Sequence, residues 1–341
     1  MWKSQCFLRN GTAVIGCHAG NSVARPGHLF NPVRRFVRKK LSDTKRRSLR
    51  PVEDVDGTPR GFRDLVKPFT FAVVVTGVSY TGAAIWQYES LRQVAKRQQH
   101  RLFNNGNYNF FGKAGGFRHQ LNMWWNRLDP GEKVVCGIVG VNVAVFLAWR
   151  IPQFSAFMTT YFIASPMAKA TTTWPMLLST FSHYSFFHIF VNMYVLWSFA
   201  PVATAVFGKE QFVATYLSAG VISSFAGYMH KVARASSLPS LGASGAILAL
   251  IGIVGTSYPN SQLSIAFVNK IYPHSFSADT GVKSLIVLDT LGILFGWRFL
   301  DHAAHLGGML FGIWYAKYGH HVARRYRDGV VQYWHRLRGK S

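Results

Sequence analysis

The sequence predicts an all-α, polytopic membrane protein, and three features carry that prediction. Hydrophobic residues make up 49% of the 341-residue chain and charged residues only 15%, a balance that suits a bilayer bundle better than two soluble domains. The run from Pro68 to Trp86, PFTFAVVVTGVSYTGAAIW, carries no charge and approaches the ~20 residues a helix needs to cross ~30 Å of hydrocarbon. The long stretch from Lys133 to Lys317 holds only 10 Lys/Arg, although the whole chain has a formal charge of +25. The basicity therefore belongs to the ends of the chain. That distribution argues against a groove-reading nucleic-acid domain, and no nucleic-acid partner is expected.

Residues 1–67 form a basic N-terminal region, with 15 Lys/Arg against 5 acidic residues. The first 42 residues contain no Asp or Glu, yet carry Lys3, Arg9, Arg25, Arg34, Arg35, Arg38, Lys39 and Lys40. An acid-free, arginine-bearing start fits a mitochondrial transit peptide. A disordered basic tail touching anionic lipid or nucleic acid is the blander reading. Three cysteines, Cys6, Cys17 and Cys136, with no CxxC pair, argue against a disulfide framework or a zinc knuckle.

The spans follow in order. Residues 68–86 make the first, and 87–133 read as an extramembrane linker with an interfacial segment around Trp124 and Trp125. Residues 134–149 are a second span, closed by Arg150 and Pro152. Residues 153–182 are apolar but irregular, broken by Pro166, Pro175 and a threonine run, which suits a partly embedded loop. Such backbone must be buried in protein or line water. Spans follow at His188 to about Phe207, Phe212 to about His230 and Gly242 to about Tyr258. A sixth runs from about Val282 to Phe295, interrupted by Lys283 and Asp289, and a seventh from Leu300 to about Tyr318. Residues 319–341 are a basic tail.

Polar groups inside spans are costly and face the bundle interior. His188 and Asn192, four apart, share a helix face, as do His302 and His305, three apart, with Gly308 and Gly312 continuing that face. Ser244 heads the fifth span between glycines. Taken singly, each has a structural explanation: Gly308-x-x-x-Gly312 is a small-residue packing face, and a lone histidine can bond a carbonyl. Together they supply a serine nucleophile, a base and further donors, which is the equipment of acyl transfer.

Gly242-Ala243-Ser244-Gly245, His188-x-x-x-Asn192 and His305-Leu306-Gly307-Gly308 together resemble the motifs of the rhomboid intramembrane serine proteases, in the family's order and spacing. Phrases such as LLSTFSHYSFFH (177–188) and FGWRFLDHAAHLGG (295–308) are similar to the mitochondrial presenilin-associated rhomboid-like branch. The resemblance covers about residues 134 to 320. It implies a six-helix rhomboid core over 134–318 plus one extra N-terminal transmembrane helix (1+6), in the mitochondrial inner membrane. Residue by residue, it makes Ser244 the nucleophile and His305 the general base. His188, Asn192 and the Ser244 amide become the oxyanion hole. Gly242, Gly245, Gly308 and Gly312 let the catalytic helices approach. His305 is preferred to His302 because the family's histidine is followed three residues later by the packing glycine, here Gly308. The resemblance implies a Ser-His dyad with no buried acid, no metal and no cofactor; the place of Asp301 at a helix start suggests a cap or interfacial role for it. Its substrates would be single-span transmembrane proteins in a lipid bilayer. One departure is Leu248, where many bacterial members carry a tyrosine beside the histidine, which leaves the orientation of the His305 ring less explained.

Two other readings stand beside this one. A metal or haem membrane protein would use His183, His188, His302 and His305 as ligands, although the chain lacks HExxH. A non-catalytic rhomboid relative would bind membrane helices without cutting them, although such relatives generally lack the serine or histidine present here.

Overall fold

The computed structural model describes residues 62–103, 116–166, 173–264 and 275–339. The targeting reading of the first residues, with Cys6 and Cys17, lies outside the described residues. The same is true of 104–115, most of the threonine run and Pro273.

The all-α prediction holds, with one short pair of strands among the described residues. In chain order the helices are α1 (Val66–Phe103), α2 (Phe117–Arg127), α3 (Pro130–Ala148), α4 (Ser155–Tyr161), α5 (Trp174–Leu178), α6 (Phe186–Phe207) and α7 (Lys209–Ala233). Then come α8 (Ser244–Ser257), α9 (Ala278–Phe295), α10 (His302–Trp314) and α11 (His320–Gly339). Strands β1 (Gln262–Leu263) and β2 (Phe276–Ser277) pair antiparallel between α8 and α9, with Gln262 opposite Ser277. A π-helical turn, Tyr315–Gly319, joins α10 to α11.

Four helical segments are long and apolar enough to cross a membrane: Arg63–His100, Pro130–Ala148, Phe186–Phe207 and Lys209–Ala233. The apolar helix Ser244–Ser257 is shorter. The first differs from the sequence expectation. It runs on to Phe103, so much of the segment read as a linker is helix, and 117–127 is helical as well. Residues 91–103 hold no Gly or Pro and are rich in Arg, Gln, Lys and Leu, which are good helix formers once the apolar part has nucleated the helix. The irregular segment at 152–181 is built of short pieces: a 3-10 turn at Pro152–Phe154, α4, α5, and a second 3-10 turn at Ser179–Phe181.

Helix starts follow local chemistry. Asp129 caps α3 in a capping box: its Oδ1 accepts from the Glu132 amide at 2.7 Å, and Glu132 Oε2 accepts from the Asp129 amide at 2.9 Å. Ser277 caps α9, and Gly296 ends it in the left-handed conformation at φ 67. Asp301 caps α10, its Oδ1 accepting from the Ala304 amide at 3.2 Å, the role expected of it.

The centre belongs to α7 and α8. On α6 the buried residues Ile189, Asn192, Met193, Leu196, Ala200 and Ala203 mark one stripe, while Phe187, Phe190, Val191 and Trp197 face outward, as lipid-facing residues do. In α8, Gly245 to Leu250 and Gly252 to Gly255 are buried, so that helix is apolar on every side because it is enclosed on every side. It packs chiefly on α10 and α7, and α1 lies along α7.

Candidate active site

The position of Ser244 is set first by the loop before it. Ser240 pairs in both directions with Ala164, its carbonyl accepting at 2.9 Å and its amide donating at 2.8 Å. The Gly242 amide donates to Ser179 O at 2.9 Å, and the Ala243 amide to His183 Nε2 at 3.3 Å. This loop is therefore tied to the irregular segment preceding α6 by backbone groups, which satisfies polar atoms that would otherwise be buried without partners. Gly242 has φ 132, a backbone shape other residues rarely adopt, and a Cβ there would lie 2.8 Å from the His188 ring. The glycine thus makes room for His188.

The histidine helix comes next. A Cβ on Gly308 would lie 2.1 Å from Gly245 O, and one on Gly312 the same distance from Ala249 O. α8 and α10 therefore meet backbone on backbone, the geometry that small-xxx-small faces permit. Gly245 directs its own missing side chain elsewhere, toward Ser223 of α7 at 2.2 Å. At the heads of the two helices, Ser244 Oγ lies 2.7 Å from His305 Nε2.

Both residues face a cavity of about 430 Å³ whose walls also include His188, Ser240, Asp301 and His302. Asn192 is buried one turn beyond His188, and its Nδ2 donates to the His188 carbonyl at 2.8 Å, which leaves one amide proton unused by that bond. The first amides of α8, at Ser244 and after, have no acceptor within their own helix. They and the helix dipole make this end of α8 favourable to negative charge. At the cavity edge, Lys231 Nζ pairs with Asp301 Oδ2 at 2.5 Å, and Ser240 Oγ hydrogen-bonds to both. That cluster ties the end of α7 and the serine loop to the start of α10.

The other two histidines have separate duties. His183 is fully buried with its ring 4.9 Å from that of His188, centroid to centroid. Burial, and then the His188 ring beside it, push its pKa down to about 3, so it stays neutral and its Nε2 can accept from Ala243. His302 turns away from the serine, and its Nδ1 lies 2.7 Å from Asp289 Oδ1. Asp289, on α9, is buried, and the same oxygen lies 3.4 Å from His305 Nδ1. The sequence reading had no role for this acid. The available signal was the cost of a carboxylate within an apolar span, which demands a partner. Among the described residues no group of three or more His, Cys, Asp or Glu is arranged to hold a metal ion.

A helical membrane fold with these motifs defines a class. A family model described as Rhomboid domain matches residues 170–322, and the chain belongs to the rhomboid family. Within that family it is similar to the presenilin-associated rhomboid-like protein, mitochondrial, of Bos taurus, at 44% identity over 325 residues covering 92% of this chain and 84% of the relative. The Homo sapiens protein of the same name is 45% identical over 295 residues, covering 84% of this chain and 76% of that one. Rhomboid protein 1, mitochondrial, of Saccharomyces cerevisiae is 28% identical over 225 residues, covering 65% and 63%. With several membrane-crossing helices and relatives named mitochondrial, the chain is a multi-pass mitochondrial membrane protein of the rhomboid protease type.

Proposed function

We propose that the chain is a serine endopeptidase of the mitochondrial inner membrane that cuts single-span membrane proteins in or near their transmembrane helices. The observation that carries this reading is the 2.7 Å approach of Ser244 Oγ to His305 Nε2 inside a cavity also lined by His188. Ser244 Oγ attacks the scissile carbonyl carbon while His305 Nε2 takes its proton. The carbonyl oxygen becomes an oxyanion held by the Ser244 amide and by His188 and Asn192 side chains. Collapse breaks the C–N bond, His305 returns the proton to the leaving amine, and an acyl-serine remains. Water, deprotonated by His305, then releases the second product. A domain order of targeting region, one extra helix, linker and six-helix core (1+6) belongs to the same reading.

The test is cleavage of a model transmembrane substrate by purified protein in detergent. Ser244→Ala and His305→Ala are expected to reduce kcat to background, a loss on the order of 10⁴-fold or more. Cleavage by Ser244→Ala at the wild-type rate would sink the assignment.

A further inference from the structure

We infer that Asp289, held in place by His302, is a positioning residue for His305, so that the site works as a relay Ser244–His305–Asp289 rather than as a bare pair. This rests on the assignment of Ser244 and His305 above. Four observations carry it.

The first is placement. Asp289 is 1% exposed in the interior of α9, and His302 is 3% exposed beside it. A carboxylate buried in an apolar bundle is expensive unless it is paired. The ion-pair contacts of Asp289 are with two imidazoles and converge on one oxygen, His302 Nδ1 at 2.7 Å and His305 Nδ1 at 3.4 Å.

The second is proton accounting. For Nε2 of His305 to accept the Ser244 proton, that nitrogen must be bare and the ring's own proton must sit on Nδ1. Nδ1 faces Asp289 Oδ1, which selects that tautomer. When Nε2 takes up the serine proton, the imidazolium that forms already faces a negative charge. The 3.4 Å separation can then close to a charge-assisted hydrogen bond, as catalytic contacts in free enzymes commonly do.

The third is that the carboxylate is itself held. His302 Nδ1 donates to Asp289, and His302 Nε2 is buried without a hydrogen-bond partner. Its ring is flanked by Trp297 and Phe299 at centroid distances of 5.9 and 5.1 Å. Beneath it lies Gly292, where a Cβ would be 2.4 Å from the ring. His302 thus gives one bond to Asp289 and has little freedom to do anything else.

The fourth is Leu248. One turn after Ser244 this chain has a leucine, packed with Val282 and Met309, so position 248 offers the His305 ring no second hydroxyl. The orienting group comes from α9 instead.

The experiment uses the full chain, purified and assayed on a transmembrane substrate and with a fluorophosphonate probe that labels Ser244 without substrate. Asp289→Asn keeps the volume and removes the charge. The expected result is a kcat lower by on the order of 10²-fold with KM changed less than about threefold, and fluorophosphonate labelling slowed in parallel. A mere α9–α10 staple would lower the melting temperature and leave kcat and labelling of the folded fraction unchanged, and that outcome overturns the proposal. If Asp289→Asn does not fold, ¹⁵N-histidine spectra of the wild type decide, with His305 assigned by comparison with His305→Gln. An Nδ1 proton on His305 shifted strongly downfield, as a bond to a carboxylate produces, supports the relay; an unshifted Nδ1 proton, or a proton on Nε2 instead, overturns it. Ser244→Ala runs alongside: loss of cleavage and labelling there, with no change in Asp289→Asn, refutes the relay alone, whereas cleavage by Ser244→Ala refutes the underlying assignment.

Discussion

Two helix pairs in this molecule are joined in opposite ways. α8 and α10 meet through glycines, with no side chain between Gly308 and Gly245 or between Gly312 and Ala249. α1 and α11 meet through long polar side chains: Thr81 Oγ1 with Tyr326 OH at 2.7 Å, Tyr88 OH with His335 Nδ1 at 2.7 Å, and Glu89 with Trp334 Nε1 at 3.0 Å and Arg338 Nε at 2.8 Å. No residue of α11 is buried. Without a hydrophobic drive between helices in lipid, association depends on close packing and on hydrogen bonds. The first pair relies on packing, which leaves the separation little freedom. The second relies on side chains that can re-aim. Proton transfer tolerates little slack, and the proposed Ser244–His305 dyad sits on the pair that has none.

Substitutions on each side of that contrast sharpen it. The largest effect is expected at Gly308→Val. Its Cβ would meet backbone that cannot swing aside, so α8 and α10 must separate, at or beyond the ~1–3 kcal/mol usual for overpacking. Cleavage should fall to background with a clearly lower melting temperature; a protein that retains wild-type kcat would show the close contact is not needed. An intermediate effect is expected at Gly292→Ala, whose methyl would push the His302 ring. A stability loss of about 1–3 kcal/mol is expected, together with a kcat decrease larger than that of any substitution on α11. The smallest belongs to the outer pair. Thr81→Val removes the exposed bond to Tyr326 and should cost about 1 kcal/mol or less, with kcat unaltered. A strong loss of cleavage from Thr81→Val would mean the outer pair is not the loose one.

What the sequence disclosed depended on whether the signal was local. Ser244 between glycines, His188 four before Asn192 and His305 three before Gly308 are all spacings within one helix or turn. The apolar runs fixed the class of fold, and the capping role of Asp301 was legible from its place. The work of His183 and Asp289 is non-local. His183 meets the Ala243 amide 60 residues away, and Asp289 joins His302 across two helices; nothing in either neighbourhood announces the pairing. In sequence, Asp289 reads as a blemish on a span. Similarly, the polar composition of 87–103 hid a helix, because polarity reports where a segment lies and propensity reports its shape.

The shortness of α8 has a consequence for substrates. Fourteen residues rise about 21 Å, against about 30 Å of hydrocarbon. Its far end runs through Pro259 and Asn260 into β1. A helix of this length does not reach from one face of the hydrocarbon to the other. On the reading proposed above, hydrolysis takes place at the head of this helix, and a bond can be cut only if its chain is able to reach it. A substrate helix that stays fully wound keeps its carbonyls engaged and out of range, whereas one that frays near its end can bring a few residues to it. Selectivity can then reside in the depth at which a partner's helix comes undone, before any side-chain pocket is consulted.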